Sequence, residues 1–320
     1  MPKVFVTRKI PEAGLNLLKE RGFEVEVSDY DGVLPREILL QKVKGVDAIL
    51  SLLTDKMDGA VMDAAGPQLK IIANYAVGYD NFNLADAKQR NVFMTNTPGV
   101  LTDTVAEHAI ALILAIAKRI VESDKFMREG KYVGWAPMLF LGNDLKGKTL
   151  GLIGLGRIGT AVAERMKDGF KMKIIYYDAK RSEDLEKQLG LEFRDLENLL
   201  KESDFVSIHV PLLPTTRHLI GAEQLKMMKN TAYLINTSRG PVVDEKALVE
   251  ALKSGVIKGA ALDVYEEEPK MAPGLADLPN TVLTPHTASA TEETRSKMSE
   301  MAAQNIIEAL EGRTPPNLIV

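Results

Sequence analysis

The chain has 320 residues and a formal net charge of −4, with 45% hydrophobic and 26% charged residues. That length is comfortable for two cores, and the balance is ordinary for a soluble globular protein. The mild acidity gives no reason to expect nucleic acid or a membrane surface as partner. With no cysteine the chain has no disulfide, thiolate metal site or thiol nucleophile.

Met1–Arg8 is too briefly apolar for a signal peptide. The longest apolar run, Ala109–Ala117, is about half a membrane span and reads as a buried helix. A cytoplasmic location is expected, because a reducing compartment suits a chain without disulfides.

Residues 1–98 alternate short apolar strands with amphipathic helices. Strands are expected at Val4–Thr7, Glu24–Val27, Ala48–Leu53, Lys70–Tyr75 and Val92–Thr95. Helices are expected at Pro11–Arg21, Pro35–Val43, Met57–Ala65 and Leu84–Gln89. Continuous apolar strands between helices mean a parallel sheet covered on both faces. Thr97-Pro98-Gly99 breaks the rhythm. Thr104-Val105-Ala106-Glu107 fits a capping box, opening one long helix from about Thr104 to Met127 whose length suggests a crossing between domains. Tyr132–Asn143 is irregular and carries the only tryptophan, Trp135.

From residue 148 to 286 the strand–helix rhythm returns. Strands are expected at Thr149–Ile153, Lys173–Tyr177, Phe205–Val210, Ala232–Thr237, Gly259–Val264 and Val282–Thr284, with a short one at Leu191–Phe193. A last helix, about Thr291 to Glu311, ends at Gly312 with no strand after it, so it is expected to return to the first domain. The fold class is therefore α/β, with two doubly wound parallel-sheet domains. Residues 1–98 plus 289–320 form one and residues 99–288 a Rossmann-type dinucleotide-binding one.

The chain is organised around Gly154-Leu155-Gly156-Arg157-Ile158-Gly159, a Gly-x-Gly-x-x-Gly between a strand and a helix. Gly154 allows the sharp turn, Gly156 lets the backbone approach a pyrophosphate, and Gly159 lets helix and strand pack closely. The helix N-terminus, at Arg157 and Ile158, offers free amides and positive dipole to phosphates. Asp178 lies 19 positions beyond Gly159, at the end of the next strand. This is close to the offset of about 20 at which an acid meets the ribose hydroxyls. Asp178 would repel a 2′-phosphate, so NAD(H) is favoured. Lys180 and Arg181 just beyond it partly offset that and keep NADP(H) open.

Ligands of open parallel sheets sit beyond the carboxyl ends of the strands. Those ends offer Thr237, Ser238 and Arg239, then Glu266-Glu267-Glu268, then His286, then His209, Val210 and Pro211. In the first domain they offer Ala76, Val77 and Gly78. A cation, an acid and an imidazole facing one cleft are what hydride exchange with a 2-oxo acid requires. A guanidinium grips the carboxylate and polarises the carbonyl. The alkoxide formed by hydride addition needs a proton near neutral pH, which imidazole provides, and a neighbouring carboxylate orients the ring. Singly, each residue has a plainer reading. Arg239 also fits a strand cap, the three glutamates a solvated run, and His209 a structural or cofactor-side residue. His108 and His218 read as solvated or packed. Chemistry alone does not separate the three glutamates. No metal site is expected.

Over essentially its whole length the chain resembles the D-isomer-specific 2-hydroxyacid dehydrogenases. The resemblance rests on the glycine motif, Asn236-Thr237-Ser238-Arg239-Gly240-Pro241-Val242-Val243-Asp244, Leu262-Asp263-Val264-Tyr265-Glu266-Glu267-Glu268-Pro269 and Thr284-Pro285-His286. It implies a catalytic set of Arg239, Glu268 and His286, choosing Glu268 from the three glutamates. It places Asp263 near the nicotinamide amide, and makes Val77 and Gly78 a backbone nest for the substrate carboxylate. It also implies that Leu53 lines the pocket. One departure is Ala288, where the family usually has glycine on the cofactor side.

Within the family the likeness is greatest to glyoxylate and hydroxypyruvate reductases, which implies a homodimer whose Trp135 reaches the partner's substrate pocket. The expected activity is reduction of a small 2-oxo acid. Other expectations from the same likeness are a phosphoglycerate, D-lactate-like or oxyanion substrate, or an NAD(H)-sensing corepressor, since fold does not fix function.

Overall fold

The computed structural model describes residues 1–320 and divides into two compact units, Met1–Leu101 with Ser289–Val320, and Thr102–Ala288. The first unit holds strands β1 (Lys3–Val6), β2 (Glu24–Val27), β3 (Ala48–Ser51), β4 (Ile71–Asn74) and β5 (Phe93–Thr95). They alternate with helices α1 (Glu12–Glu20), α2 (Arg36–Lys42), α3 (Gly59–Ala65) and α4 (Leu84–Arg90). All strands pair in parallel in the order β2-β1-β3-β4-β5, the doubly wound flavodoxin-like order. Central β3 and β4 are buried along their whole length, whereas edge strand β2 alternates. Only a strand covered on both faces needs a continuous apolar run. Asp58 and Asn83 accept from the amides of Val61 and Asp86 as N-caps of α3 and α4, each stabilising by about 1 kcal/mol. Met94 in edge strand β5 donates to the Val320 carbonyl, and Ile319 donates back to Met94. The chain's own end thus covers an edge otherwise open to pairing.

The second unit begins with α5 (Thr102–Ala117) and α6 (Ile120–Arg128). Then come β6 (Thr149–Ile153), α7 (Arg157–Phe170), β7 (Lys173–Tyr177), α8 (Glu183–Leu189), β8 (Glu192–Phe193), α9 (Leu196–Glu202) and β9 (Phe205–Ile208). α10 (Ala222–Met227), β10 (Tyr233–Asn236), α11 (Glu245–Lys253), β11 (Gly259–Leu262) and β12 (Thr281–Leu283) complete it. The sheet is parallel throughout, in the order β12-β11-β10-β9-β6-β7-β8. Alternate residues of each strand feed opposite faces. Leu150 and Leu152 pack with Ala109, Ile113 and Val162 on one side, while Ile153 packs with Leu199 and Leu248 on the other. β6 has β7 on one side and β9 on the other, so the crossovers diverge there and leave a crevice at its carboxyl end. The chain then re-enters the first unit as α12 (Glu292–Leu310), capped by Thr291 and packed on α1.

Two expectations need correction. The helix drawn as one piece from Thr104 to Met127 is two, because Arg119 takes a left-handed conformation at φ 55°. The Ala117 carbonyl accepts from the Asn143 amide at 2.8 Å instead of continuing the helix. Arg119 instead pairs with Glu122 at 2.6 and 3.0 Å and lies over the Phe140 ring. The other correction concerns the capping box. α5 starts at Thr102, so Thr104 lies inside its first turn rather than at its cap, and the whole helix belongs to the second unit. Elsewhere the strands keep the expected places to within one or two residues at each end.

Candidate active site and coenzyme cradle

The glycine loop joins β6 to α7 at the crevice. Gly154 has φ +99°, and a Cβ there would lie 2.9 Å from the His209 backbone. At Gly159 a Cβ would lie 2.2 Å from the Gly154 carbonyl oxygen, so this position allows the helix to start against the turn. At Gly156 a Cβ would meet nothing within 4 Å. Space is thus reserved over the middle glycine, while the outer two are packed by the protein itself. α7 has no acid in its first turn, and the amides of Arg157 and Ile158 donate to no carbonyl of the chain. Thr237, at the end of β10, has a buried hydroxyl with no partner. An open cradle, free amides at a helix start and an orphaned hydroxyl fit a dinucleotide.

Asp178 follows β7, and its Oδ2 accepts from the Leu155 amide at 2.7 Å, tying the acid to the glycine loop. Ser238 donates twice to the Asn236 side chain, at 3.0 and 2.8 Å, which fixes the turn after β10. His209 leaves β9 with Nε2 2.9 Å from the Ser207 hydroxyl, and burial pulls its pKa down to about 4. It is a neutral ring packed against the cradle, beside Val210 and Pro211.

The acid–base residues stand at the carboxyl ends of adjacent strands. Arg239 lies three residues beyond β10, Glu268 six beyond β11 and His286 three beyond β12. His286 Nδ1 is 2.8 Å from Glu268 Oε2, and the other carboxylate oxygen accepts from the Tyr265 amide at 3.0 Å. Both side chains keep about a quarter of their surface exposed, 26% and 29%. His286 is held at φ 55°, uncommon for a residue with a side chain, and its amide donates to the Asp263 carbonyl at 2.8 Å. Arg239 is half-buried, and its Nη1 donates to the Ser238 carbonyl at 2.8 Å. A Cβ on Gly240 would lie 1.8 Å from the Tyr265 carbonyl oxygen, so the Arg239 and Glu268 loops touch backbone to backbone. Of the three glutamates, Glu268 alone reaches His286. Glu266 instead pairs with His218 at 2.5 Å and accepts from the Glu245 amide at 3.2 Å.

Asp263 is fully buried and organises the segment that carries His286. Its carboxylate accepts from the Thr284 hydroxyl at 2.6 Å and from the Thr287 and Ala288 amides, each at 2.8 Å. His108 Nε2 lies 3.5 Å from the same carboxylate and 3.2 Å from the Thr284 hydroxyl. Burial by itself raises this carboxyl, but the four donors outweigh it and hold Asp263 below the usual carboxylate range. His108 and His218 are therefore paired with acids rather than merely solvated or packed. Only the contact reveals this, since neither histidine is near its acid in sequence. Ala288 is buried and lies outside the left-handed region, so its backbone does not require the glycine usual there.

In the first unit, Leu53 is half-buried in the turn after β3, while Ala76, Val77 and Gly78 follow β4. The Val77 and Gly78 carbonyls accept from Asn96 at 2.7 Å and Asn74 at 2.9 Å, but their amides donate to nothing in the chain. Asn81 ties the two turns together, donating to the carbonyls of Leu52 and Asp55 at 3.1 and 3.0 Å. Asn74, Asn81, Asn96 and the buried Asp55 form a scaffold that the sequence reading missed. The available signal was a set of short polar residues at the ends of apolar strands.

Trp135 is 81% exposed, in a run that also bares Val133 and Met138. A cavity of about 310 Å³ lies instead near Tyr233, Lys258 and Thr281, at the amino ends of β10, β11 and β12. It is at the wrong end of the sheet for the chemistry described above. No group of acids and histidines is arranged to hold a metal, and no helix is long and apolar enough to cross a membrane.

Residues 110–288 match the family model "D-isomer specific 2-hydroxyacid dehydrogenase, NAD binding domain". The chain is 54% identical over 321 residues to the glyoxylate reductase of Korarchaeum cryptofilum, covering 99% of this chain and 96% of that one. It is likewise 54% identical over 322 residues to the glyoxylate reductase of Thermococcus litoralis, with the same coverage. Among solved structures, the TT0316 protein of Thermus thermophilus superposes with a TM-score of 0.93 at 46% identity, over 99% of this chain and 100% of that one. The NADPH-dependent glyoxylate/hydroxypyruvate reductase of Sinorhizobium meliloti, solved with NADP and malonate, gives 0.87 at 33%, over 100% and 97%. A family model over more than half of the chain and relatives this similar along almost its full length identify an NAD(P)-dependent oxidoreductase that belongs to the D-isomer-specific 2-hydroxyacid dehydrogenase family.

Proposed function

We propose that the protein reduces small 2-oxo acids, glyoxylate and hydroxypyruvate first among them, to the D-2-hydroxy acid or its achiral equivalent. The observation that carries this reading is the His286–Glu268 pair one strand loop away from Arg239. The bound nicotinamide coenzyme supplies the hydride. Arg239 grips the substrate carboxylate and polarises the carbonyl oxygen. In the first unit, the unengaged amides of Val77 and Gly78 suit an anion such as a carboxylate. As the carbonyl carbon gains hydride, His286 gives the proton on Nε2 to the oxygen, forming the hydroxyl and leaving a neutral ring. Glu268 accepts from Nδ1, which fixes the ring's orientation and balances the positive charge the ring carries while it holds the proton. Leu53, in the first unit, is read as a substrate-side residue.

We read the cofactor preference as NAD(H), from Asp178 beside the glycine loop. Arg157, Ile158, His209, Val210, Pro211, Thr237, Ser238, Asp263 and Ala288 complete the coenzyme side. The bare apolar run around Trp135 supports a homodimer in which that ring serves the partner's pocket. The test is steady-state turnover of glyoxylate, hydroxypyruvate, pyruvate and phosphohydroxypyruvate with NADH and NADPH. The expected ranking puts glyoxylate or hydroxypyruvate with NADH first. Absence of turnover by a protein that binds NADH would end the proposal.

A further inference from the structure

We propose that Glu186 is a coenzyme-specificity residue, which holds the Arg181 guanidinium in a two-point ion pair and so withholds it from a 2′-phosphate on the adenosine ribose. The inference rests on reading the end of β7 as the ribose end of the coenzyme cradle. Asp178 stands there, and Arg181 follows three positions later, in the same turn. An arginine so placed is what accommodates a 2′-phosphate in this kind of site. Here it is committed elsewhere. Nε and Nη2 of Arg181 each lie 2.8 Å from an oxygen of Glu186, at the start of α8.

Glu186 is itself anchored. Its Oε1 accepts from the Tyr176 hydroxyl at 2.7 Å, and the Ser182 amide donates to that hydroxyl at 2.9 Å. The Glu186 side chain is only 14% exposed against 55% for Arg181, so the carboxylate is the fixed partner and the guanidinium the one it captures. Arg181 and the Tyr176 hydroxyl together pull the Glu186 pKa down to about 2, so the pair stays ionised at any working pH. The Arg181 guanidinium also lies 5.8 Å from the centre of the Phe193 ring, which favours the withheld position. Asp178 thus repels a 2′-phosphate, while Glu186 removes the cation that would offset the repulsion.

The experiment titrates the full-length protein, without oxo acid, with NADH and with NADPH, following coenzyme fluorescence. Wild type, Glu186→Gln, Arg181→Ala and the double variant are compared. Glutamine keeps an oxygen for the Tyr176 hydroxyl and drops the charge. In Glu186→Gln the Kd for NADPH should fall about tenfold, the worth of one charge-assisted hydrogen bond, while that for NADH changes less than about twofold. Adding Arg181→Ala should erase the gain. Lys180 is present in every variant and cancels from the comparison. Should Glu186→Gln melt early, Glu186→Asp keeps the charge but breaks the two-point geometry, and a smaller fall in the NADPH Kd is expected, again erased by adding Arg181→Ala. An unchanged NADPH Kd overturns the proposal, and so does a gain that survives loss of Arg181. A protein that binds NADH yet reduces no oxo acid would overturn the preceding reading and leave this one standing.

Discussion

His286 Nδ1 lies 2.8 Å from Glu268 Oε2, across two strand loops joined by nothing closer in sequence than 18 residues. A carboxylate only accepts, so Nδ1 is the donor, and Nε2 stays outside this bond, as the proposed proton donor requires. Glu268→Gln keeps the shape and removes the charge. It should lower kcat for reduction about ten- to hundredfold with a much smaller change in KM. If kcat holds and KM alone rises, Glu268 serves binding rather than proton transfer.

The three motif glycines separate stability from binding. Gly156→Ala places its Cβ in open space at a φ of −75° that alanine accepts, so the melting temperature should stay put. Affinity for NADH should drop at least about tenfold, because the added methyl stands where the pyrophosphate comes close. Gly159→Ala presses on the Gly154 carbonyl and should cost about 1–3 kcal/mol of stability in urea unfolding. Equal effects of the two substitutions on stability would contradict this division.

Arg239→Lys replaces a planar fork by a point charge. kcat/KM for glyoxylate should fall about ten- to hundredfold, roughly 1.4–2.8 kcal/mol of transition-state binding. The NADH Kd, measured alone, should not follow it; a matching loss there would move Arg239 to the coenzyme side.

His209 gives the fold an acid-side weakness. Its folded pKa is about 4, against about 6.5 for an open histidine, because burial disfavours the charged ring. Between those values the unfolded chain binds more protons, so stability rises with pH across the window. This contribution is full above about pH 6.5 and shrinks as the pH drops toward 4, by up to about 3 kcal/mol at about 1.4 per unit. Asp263, held below the ordinary carboxylate range, adds a further loss only as the pH falls lower still. Urea midpoints of the coenzyme-free protein from pH 7 to 4 measure this. His209→Gln should flatten the curve, and an equally steep one would mean that other groups carry it.

Trp135→Ala tests the role read for the bare apolar run. Light scattering should still give a dimer, since Val133 and Met138 remain, while the KM for hydroxypyruvate rises about three- to tenfold through lost contact. A monomer with unaltered KM would make the tryptophan a packing residue only.

Much of this was legible in one dimension. The glycine spacing, the 19-residue step to Asp178 and the buried strands β3, β4, β9, β10 and β11 follow from local rules. A chain turning off a strand needs glycine, and a strand covered twice needs apolar residues throughout. Periodicity showed a helix from about Thr104 onward but not the stop at Arg119, because that break depends on Asn143 taking the Ala117 carbonyl. Likewise, three adjacent glutamates differ only in what stands opposite them: His218 for Glu266 and His286 for Glu268. Residue order alone settles which chemical groups the protein has and the order in which strands present them. Which acid meets which base is a matter of packing in three dimensions, because hydrogen bonds of 2.5–2.8 Å depend on how strands far apart in the chain are laid side by side.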